Sequence, residues 1–578
     1  MHGIKFTLKP VDPQIRIIAE KFQHNTYSTL EILKEIQEKH GWISPEQISD
    51  LGRELKLPAG TLYGIASFYS MLNLTPKGAN TIRICDGPVC WLNGSHEIYQ
   101  AIDLQLKLFP EWHVGRTSCL GLCDRAPSIL INQEQAGAIL KKDIPNLFNG
   151  WRGQPVDYSK TRNGEIRVMM ANAGKINPDS LKSAFEHGAY QGLKVAIKSP
   201  PEHSLLQIEN SGLSGRGGAG FPVGRKWRFV RQANRLPKYI ICNADESEPL
   251  IFKDRVLIDS NPHQILEGMA IAGYCTGASE GFIYIRGEYK SQAERIEQAI
   301  HSAENEGFLG DHILGTNYTF RIHLHRGAGA YICGEETALI ESLEGKRGEP
   351  RLRPPFPPQY GYLGLPTLVN NVESFASVPP IILHGAEWFR SLSTYSTPGT
   401  KMYMVLGHIQ QPGLFEAPFG ITLRQVIEDY GGGLLPNSKF NFALTGGAAG
   451  TIVPDSLLDV PIDYASAMKG VSLGAGAFLV CDQSISPVEM LREILHFFEM
   501  ESCGKCTPCR VGTYLSRVIL DRLITNRGLP GDTSELNDLA DLMQDSSFCG
   551  LGQSVAVPVK SALSHFSEIF TSLESTHS

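Results

Sequence analysis

The sequence predicts a multidomain α/β protein with helical units at both ends. Its 578 residues are too many for one hydrophobic core, and roughly three to five domains are expected. Hydrophobic residues make up 42% of the chain and charged residues 20%, as in ordinary globular proteins. Helix signals dominate residues 11–75 and 487–570, whereas short β-type runs alternate with helices in between.

Helix-capping patterns open the chain. Ser28-Thr-Leu-Glu31 has the spacing of a capping box before an apolar run. Ser44-Pro-Glu-Gln47 begins a further helix, with Pro45 at the first helical position, where its missing N–H is harmless. Residues 1–76 are therefore predicted to form a helical bundle.

A unit of a different kind follows over residues 77–150. Apolar, β-branched runs at 81–84 and 128–131 predict two strands that flank a helix. The polar, glycine-containing stretch 150–163 is a candidate linker to the rest of the chain.

The larger C-terminal part divides into three predicted units. Residues 165–398 are predicted to be α/β, because runs such as 238–242 and 281–286 favour strands and lie between helical segments and glycine loops. Residues 399–484 are predicted to form a small α+β unit. Residues 485–578 are predicted to be a helical bundle that begins after a Ser-Pro-Val-Glu cap.

Charge and hydropathy exclude some functional classes. The net charge is −7, from 53 basic and 60 acidic residues, and the basic residues form no long block, which argues against nucleic acid as a partner. No apolar stretch reaches the roughly 18 residues of a membrane helix, so no direct membrane insertion is expected. The first residues lack the apolar core of a signal peptide. Twelve cysteines without such a signal predict a reducing, cytoplasmic location and metal or catalytic use.

Four cysteines near the C-terminus are the strongest chemical signal. Cys503, Cys506 and Cys509 form a Cys-x2-Cys-x2-Cys run, and Cys549 follows 40 residues after Cys509. Three thiolates on one tight loop with a distant fourth favour a cubane iron–sulfur cluster. A zinc site, which more often uses two separated pairs, and a chance group of free thiols are the alternatives.

A second set of cysteines lies in the N-terminal part. Cys85 and Cys90 form one pair, and Cys119 and Cys123 form another, each at the end of a strand-like run. One pair for each iron suits a [2Fe–2S] cluster. Zinc and a redox dithiol are the alternatives, although the Cys-x2-Cys of a thioredoxin-type site is missing from this region.

The segment Gly212–Pro222 is rich in glycine. It contains Gly215-x-Gly217-x-x-Gly220, which matches the dinucleotide fingerprint, but no strand-like run precedes it, so a Rossmann turn is not expected. Backbone N–H groups without side chains around them form a nest for a phosphate, and Arg216 and Lys226 add positive charge. A surface loop without a ligand is the alternative.

Two acidic stretches follow, of which the first ends a predicted strand and the second opens a predicted helix. They lie in Cys242-Asn-Ala-Asp-Glu-Ser-Glu248 and Gly327-Ala-Gly-Ala-Tyr-Ile-Cys-Gly-Glu-Glu336, and Asn370-Asn-Val-Glu373 adds amides. Loops at strand ends are the usual place for ligands in α/β folds. Such carboxylates can accept hydrogen bonds from ribose hydroxyls, an amide or the edge of a flavin ring. Acids on a loop that contact only solvent are the alternative.

Several of these motifs together resemble the NADH-binding flavoprotein subunit of respiratory complex I. The resemblance covers roughly residues 165–570. It is carried by Gly215–Trp227, Cys242–Pro249, Gly329–Thr337, the proline-rich Arg351–Pro358, Asn370-Asn371 and Glu501–Cys509. Residues 1–150 resemble the small [2Fe–2S] subunit of the same complex. The fusion of both resembles the diaphorase flavoprotein subunit of soluble NAD-reducing nickel–iron hydrogenases.

The resemblance implies a fold and a set of ligands. A helical bundle and a thioredoxin-like [2Fe–2S] domain are expected first, then an α/β domain for FMN and NADH, a ubiquitin-like α+β domain and a C-terminal bundle with a [4Fe–4S] cluster. The FMN residues implied are Gly215, Arg216, Gly217, Gly218, Lys226, Asn243, Asp245, Glu246, Gly334, Glu335, Asn370 and Asn371. The NADH residues implied are Phe221, Phe229, Glu248, Glu336, Arg353 and Phe356.

The resemblance also implies an activity. Electrons are expected to pass between NAD(H), FMN and the two clusters, with no catalytic residue because the flavin itself takes the hydride. The expected partners are an iron–sulfur electron-transfer subunit and the small and large hydrogenase subunits, in a soluble complex. A fused NADH dehydrogenase module of complex I and the flavoprotein subunit of an NAD-dependent formate dehydrogenase are the alternatives.

Overall fold

The N-terminal unit is a bundle of four helices. The computed structural model describes residues 9–78, 80–107, 109 and 111–574. The helices are α1 (Pro13–Lys21), α2 (Thr29–His40), α3 (Pro45–Leu55) and α4 (Ala59–Ala66). The helix start predicted at Ser44 is confirmed, and Ser44 and Gln47 also exchange both hydrogen bonds of a capping box. The capping box predicted at Ser28 is wrong: this residue ends a 3-10 turn, and its side chain makes no capping hydrogen bond.

The second unit is a four-stranded sheet with helices packed on it. The strands are β1 (Asn80–Cys85), β2 (Trp112–Thr117), β3 (Ser128–Ile131) and β4 (Glu134–Gly137), in the order β2-β1-β3-β4. The helices are α5 (Pro88–Leu92), α6 (Ser95–Leu106) and α7 (Ile144–Leu147). β1 and β3 confirm the predicted strands. β2 and β4 escape prediction because both are short edge strands of mixed polarity.

A parallel sheet forms the centre of the α/β domain. Its strands are β5 (Tyr239–Ala244), β6 (Glu280–Ile285), β7 (Arg321–Arg326) and β8 (Thr367–Asn371), in the order β7-β6-β5-β8, and all neighbours are parallel. β5 and β6 confirm the strands predicted at 238–242 and 281–286. The strand order reverses between β5 and β8, and such a reversal is the usual ligand crevice of an α/β sheet.

Twelve helices surround this sheet. They are α8 (Leu181–Glu186), α9 (Gln191–Ala196), α10 (Pro201–Ser211), α11 (Val223–Gln232), α12 (Lys253–Ser260), α13 (Pro262–Thr276), α14 (Lys290–Asn305), α15 (Glu336–Leu343), α16 (Pro357–Tyr360), α17 (Val372–Ala376), α18 (Val378–His384) and α19 (Ala386–Ser391). Residues 150–163, before the domain, contain no helix or strand, and their role as a linker stays a prediction.

A mixed five-stranded sheet and a second helical bundle complete the fold. The strands are β9 (Thr400–Gly407), β10 (Gly413–Pro418), β11 (Phe440–Thr445), β12 (Thr451–Val453) and β13 (Ala477–Asp482), in the order β10-β9-β13-β11-β12, with the short helix α20 (Leu423–Gln425). The bundle contains α21 (Pro487–Glu501), α22 (Thr507–Ile524), α23 (Asp532–Ser546), α24 (Gly550–Ser554), α25 (Ala556–His565) and α26 (Ser567–Glu574). The predicted cap of α21 is confirmed, because Ser486 accepts a hydrogen bond from the N–H of Val488.

The multidomain α/β fold class is therefore confirmed, and buried charges join its units. Lys401 of β9 lies 3.0 Å from Glu373 of α17, and neither side chain is exposed. Such a contact requires the two domains to pack without water between them. Within the part of the chain that the structure describes, no helix is both long and apolar enough to cross a membrane.

Candidate functional site

A cavity of about 260 Å³ lies at the carboxyl ends of β5 and β8, where the strand order reverses. We call it the central cavity. The glycine loop, the start of α12 and the start of α24 also line it. The predicted ligand residues that line it are Gly217, Asn243, Asp245, Glu246, Glu248, Gly334, Glu335 and Asn371.

The glycine loop lies between two helices, α10 and α11, so the prediction against a Rossmann turn is confirmed. The loop closes on itself through a 2.9 Å hydrogen bond from the N–H of Gly215 to the carbonyl of Phe221. Gly218 has φ +121°, which favours glycine. A Cβ on Gly217 would lie 3.3 Å from Cβ of Asn371. The bare backbone of this loop therefore lies directly against the end of β8.

The side chain of Arg216 points elsewhere. It is fully buried, its guanidinium lies 4.6 Å from the ring of Phe419, and it donates a 3.2 Å hydrogen bond to the carbonyl of Pro398. These contacts lie toward the five-stranded sheet, outside the lining of the central cavity. The side chain thus fastens the glycine loop to the next domain, and the role of Arg216 in binding FMN stays a prediction.

Two carboxylates present oxygen atoms to the cavity. Asp245 is buried, and its Oδ2 has no hydrogen-bond partner among the described residues, so burial raises its pKa well above the usual range. Glu335 caps α15 through one oxygen, and its other oxygen makes only a 3.5 Å ion pair with Arg353. Buried acceptors of this kind are normally satisfied. A ligand with N–H or O–H donors, such as a flavin ring or its ribityl chain, fits this arrangement.

Other predicted FMN residues are already fully bonded within the protein. Glu246 accepts from the N–H groups of Asp254 at 2.8 Å and Arg255 at 3.0 Å, and thus caps α12. The amide of Asn371 accepts from Lys253 Nζ at 3.1 Å and donates to Asp254 Oδ2 at 2.6 Å. These side chains shape the wall of the cavity and hold it rigid.

The remaining two amides act in the same way. Asn243 donates to the carbonyl of Gly334 at 2.8 Å, which ties β5 to the loop before α15. Asn370 accepts from the indole N–H of Trp227 at 3.0 Å, which ties β8 to α11. Both amides thus fix the segments that carry the other cavity residues.

Sequence reasoning missed Lys253 and Asp254, which also line the cavity. Lys253 Nζ lies 2.6 Å from Asp254 Oδ1 and 3.2 Å from Glu373 Oε2, and all three side chains are buried. A buried ion pair needs such additional partners to offset its desolvation. The available signal was the charged Lys-Asp-Arg sequence that directly follows the apolar Leu-Ile-Phe run.

The residues predicted for NADH lie outside the cavity, apart from Glu248. The three predicted rings remain accessible, at 42% for Phe221, 43% for Phe229 and 50% for Phe356. Lys226 lies 3.2 Å from Glu336, and Arg353 lies 3.4 Å from the same carboxylate. Half-exposed aromatic faces beside a charged cluster suit a nucleotide that brings a flat base and a phosphate.

Glu248 connects two domains. Its Oε1 accepts a 3.1 Å hydrogen bond from the N–H of Ala449, in the loop after β11. A Cβ on Gly447 would lie 2.4 Å from the same oxygen. Burial raises the pKa of Glu248 to about 7. Its contact with NADH stays a prediction.

Cys503, Cys506, Cys509 and Cys549, the C-terminal cysteine site, line one small cavity. Cys506 and Cys549 are the N-cap residues of α22 and α24. The positive end of α22 favours a thiolate there. Burial raises the pKa of Cys509 to about 12 and that of Cys549 to about 11. Metal coordination would replace these protons, so the donor set fits an iron–sulfur cluster.

Cys85, Cys90, Cys119 and Cys123, the N-terminal cysteine site, are all buried. The Sγ atoms of Cys119 and Cys123 are 3.4 Å apart. A Cβ on Gly87 would lie 3.6 Å from Sγ of Cys85 and 3.8 Å from Cβ of Cys119, which places the two pairs side by side. Four converging soft ligands fit a two-iron cluster. Among residues 9–78, 80–107, 109 and 111–574, no group of three or more His, Cys, Asp or Glu is arranged to hold a single metal ion.

Known proteins match each of these regions. Residues 15–152 match the thioredoxin-like [2Fe-2S] ferredoxin family, residues 208–380 match the Nuo51 FMN-binding domain, and residues 489–573 match the NADH-ubiquinone oxidoreductase-F iron-sulfur binding region. The chain is 45% identical to the F 2 subunit of NADH-quinone oxidoreductase from Rhizobium meliloti over 393 residues, which are 67% of this chain and 93% of that protein. The chain belongs to the Nuo51 family of NADH-quinone oxidoreductase subunits. The predicted FMN, [2Fe–2S] and [4Fe–4S] cofactors are thereby confirmed, and this family member is an NAD(H)-dependent flavin and iron–sulfur oxidoreductase.

Hydrogenase subunits are similar as well. The NADP-reducing hydrogenase subunit HndC of Solidesulfovibrio fructosivorans is 43% identical over 408 residues, which are 70% of this chain and 83% of that protein. A chain in the crystal structure of an air-oxidised NAD+-reducing [NiFe]-hydrogenase superimposes with a TM-score of 0.82 at 31% identity. That superposition covers 95% of this chain and 94% of the hydrogenase chain.

Proposed function

We propose that this member of the Nuo51 family is the diaphorase subunit of an NAD-reducing nickel–iron hydrogenase. The observation that carries the proposal is the extent of the structural match. The hydrogenase chain covers 95% of this chain, whereas the Rhizobium meliloti relative covers 67%. The same order of domains on one chain favours the same role.

The residues of the central cavity, together with Lys226, which lies outside its lining, would bind and orient FMN. Bound there, FMN would supply the conversion between a two-electron hydride and single electrons. The backbone of Gly217 and the ammonium of Lys226 would hold its phosphate, and the free oxygen of Asp245 would accept a hydrogen bond from it. The exposed rings of Phe221 and Phe229 would stack on the adenine of NADH.

The position of the C-terminal cysteine site supports electron transfer from the same cavity. Ile332 and Leu551 line both the central cavity and the cysteine site. The two sites are therefore separated by a single layer of side chains. Such proximity suits transfer of single electrons between FMN and a [4Fe–4S] cluster on Cys503, Cys506, Cys509 and Cys549.

A charged cleft supports a further protein partner. Cys503 lies in a cleft of about 330 Å³ that is also lined by Lys77, Arg83, His113 and Arg347. Burial and the charge of Arg83 lower the pKa of Lys77, so these two cations lie close together. The cleft would accept an acidic surface of the iron–sulfur electron-transfer subunit. The hydrogenase small and large subunits would complete a soluble, cytoplasmic complex.

Isolation of the native complex tests this proposal. A tag on this chain should recover a complex that contains nickel and reduces NAD+ with hydrogen gas. A second candidate, a fused NADH dehydrogenase module, is favoured by the 45% identity to the Rhizobium meliloti relative. A nickel-free, membrane-bound complex that reduces quinone would establish that candidate and overturn the hydrogenase assignment. Molybdenum or tungsten with formate oxidation would also overturn it.

A further inference from the structure

Two buried arginines of the α/β domain hold the ligand loop of the N-terminal cysteine site. Arg286, which follows β6, donates a hydrogen bond to the carbonyl of Cys119, and Arg255 of α12 donates to the carbonyl of Gly121 at 3.1 Å. The exposed fraction is 1% for Arg286 and 6% for Arg255. Each guanidinium also pairs with a carboxylate, Glu288 or Asp124. The loop is therefore held by groups that belong to a different domain.

A backbone amide of the α/β domain reaches the cluster ligand itself. The N–H of Leu250 donates to Sγ of Cys123 at 3.4 Å. Leu250 has φ +78°, in the left-handed region that non-glycine residues rarely adopt. Its side chain is fully buried, so tight packing holds this strained conformation in place. This backbone conformation orients the N–H of Leu250 toward Sγ of Cys123.

The same segment forms part of the central cavity. Asp245, Glu246 and Glu248 line the cavity, and Leu250 follows two residues after Glu248. Arg286 also donates to the carbonyl of Glu246 at 2.6 Å. One short segment therefore borders the predicted flavin site at one end and the cysteine site at the other.

We propose that Arg286, Arg255 and Leu250 are positioning residues for the two-iron cluster and that they raise its reduction potential. Hydrogen bonds to cluster sulfurs and nearby positive charge stabilise the reduced, more negative cluster. The potential of a cluster bound by one domain is thus set by another domain, whose segment 245–250 also borders the flavin site. The inference rests on the proposed ligand set Cys85, Cys90, Cys119 and Cys123.

The first test changes the arginine in the full-length, cofactor-loaded protein. Arg286→Met is made in a Glu288→Gln background and compared with Glu288→Gln alone, so that no buried carboxylate is left unpaired and the two proteins differ only in the cation at position 286. Redox titration followed by electron paramagnetic resonance should show the one-electron reduction constant of the two-iron cluster falling at least tenfold, which is about 59 mV. The four-iron potential should stay unchanged, and Arg286→Lys, which keeps the charge, should restore most of the difference. An unchanged two-iron potential would overturn the inference.

The second test observes the backbone amide of Leu250 directly. With ¹⁵N-leucine labelling, pulsed electron paramagnetic resonance of the reduced two-iron cluster should show a ¹⁵N coupling that is lost in equally labelled Leu250→Gly. Glycine keeps the N–H and suits the positive φ, so the potential of this variant should match the wild type. Identical ¹⁵N spectra would overturn the role of Leu250. A wild-type protein without any two-iron signal would instead overturn the ligand set and with it this part of the proposed function.

Discussion

Gly217 provides the sharpest test of the proposed FMN site. Gly217→Ala places a Cβ 3.3 Å from Cβ of Asn371, closer than an ordinary contact. Asn371 cannot withdraw, because Lys253 Nζ donates to it at 3.1 Å and it donates to Asp254 at 2.6 Å. The glycine loop must therefore move instead, and Gly217→Val, which adds two more carbons, must move it further.

Overpacking of this kind costs about 1–3 kcal/mol, which is roughly 5- to 150-fold in FMN affinity. Titration of the FMN-free protein with FMN, followed by flavin fluorescence, measures this affinity. Gly60→Ala is the matched control, because nothing lies within 4 Å of the added carbon. Iron content should be unchanged in all variants. Full FMN content and wild-type affinity in Gly217→Val would refute the assignment of this loop.

Three further substitutions test the site and its surroundings. Lys226→Met should weaken FMN binding by roughly 10- to 150-fold through loss of a charge-assisted contact, whereas Lys182→Met, at an exposed position, should not. If Lys226→Met binds FMN as tightly as the wild type in the same titration, the role of Lys226 is contradicted. Glu248→Gln should narrow the preference for NADH over NADPH, because it removes a charge that repels a 2′-phosphate. If the ratio of the kcat/KM values for NADH and NADPH is unchanged, Glu248 serves only the contact between the domains. Burial raises the pKa of Glu267 from the ordinary 4.5 to about 7. The protonated carboxyl therefore contributes its full share of the folding stability below pH 4.5, and this stability is lost as the pH rises through about 7. In urea denaturation, Glu267→Gln should therefore lose less stability than the wild type as pH rises from about 5 to about 8; an equal pH slope would show that Glu267 is not the group that titrates.

The strands β1, β3, β5 and β6 and the helix starts at Ser44 and Ser486 could be predicted because their signals are local. The strand over 239–244 begins with the apolar run Tyr239-Ile-Ile-Cys242, and the Ser44 cap and Pro45 lie within one turn of the helix that they begin. The capping box at Ser28 fails because a preceding 3-10 turn already determines the backbone there. The edge strand β4 carries too few apolar residues to be recognised.

The candidate site could be predicted as a set of segments but not as a set of contacts. Motifs indicated which loops meet, and those loops do surround one cavity. The orientation of the Arg216 side chain depends on Phe419, about 200 residues later. The orientation of the Leu250 N–H depends on Cys123 in another domain. Such contacts follow from domain packing, which no local pattern records.

The most direct test of the account is an anaerobic titration of the full-length protein with NADH, monitored by optical absorption and electron paramagnetic resonance. NADH should bleach the flavin, and both a four-iron and a two-iron signal should be detectable on reduction. Cys506→Ser should remove only the four-iron signal and Cys119→Ser only the two-iron signal, while flavin reduction persists in both, because hydride transfer precedes the clusters. Flavin that NADH does not reduce, or loss of both signals in either folded variant, would contradict the account.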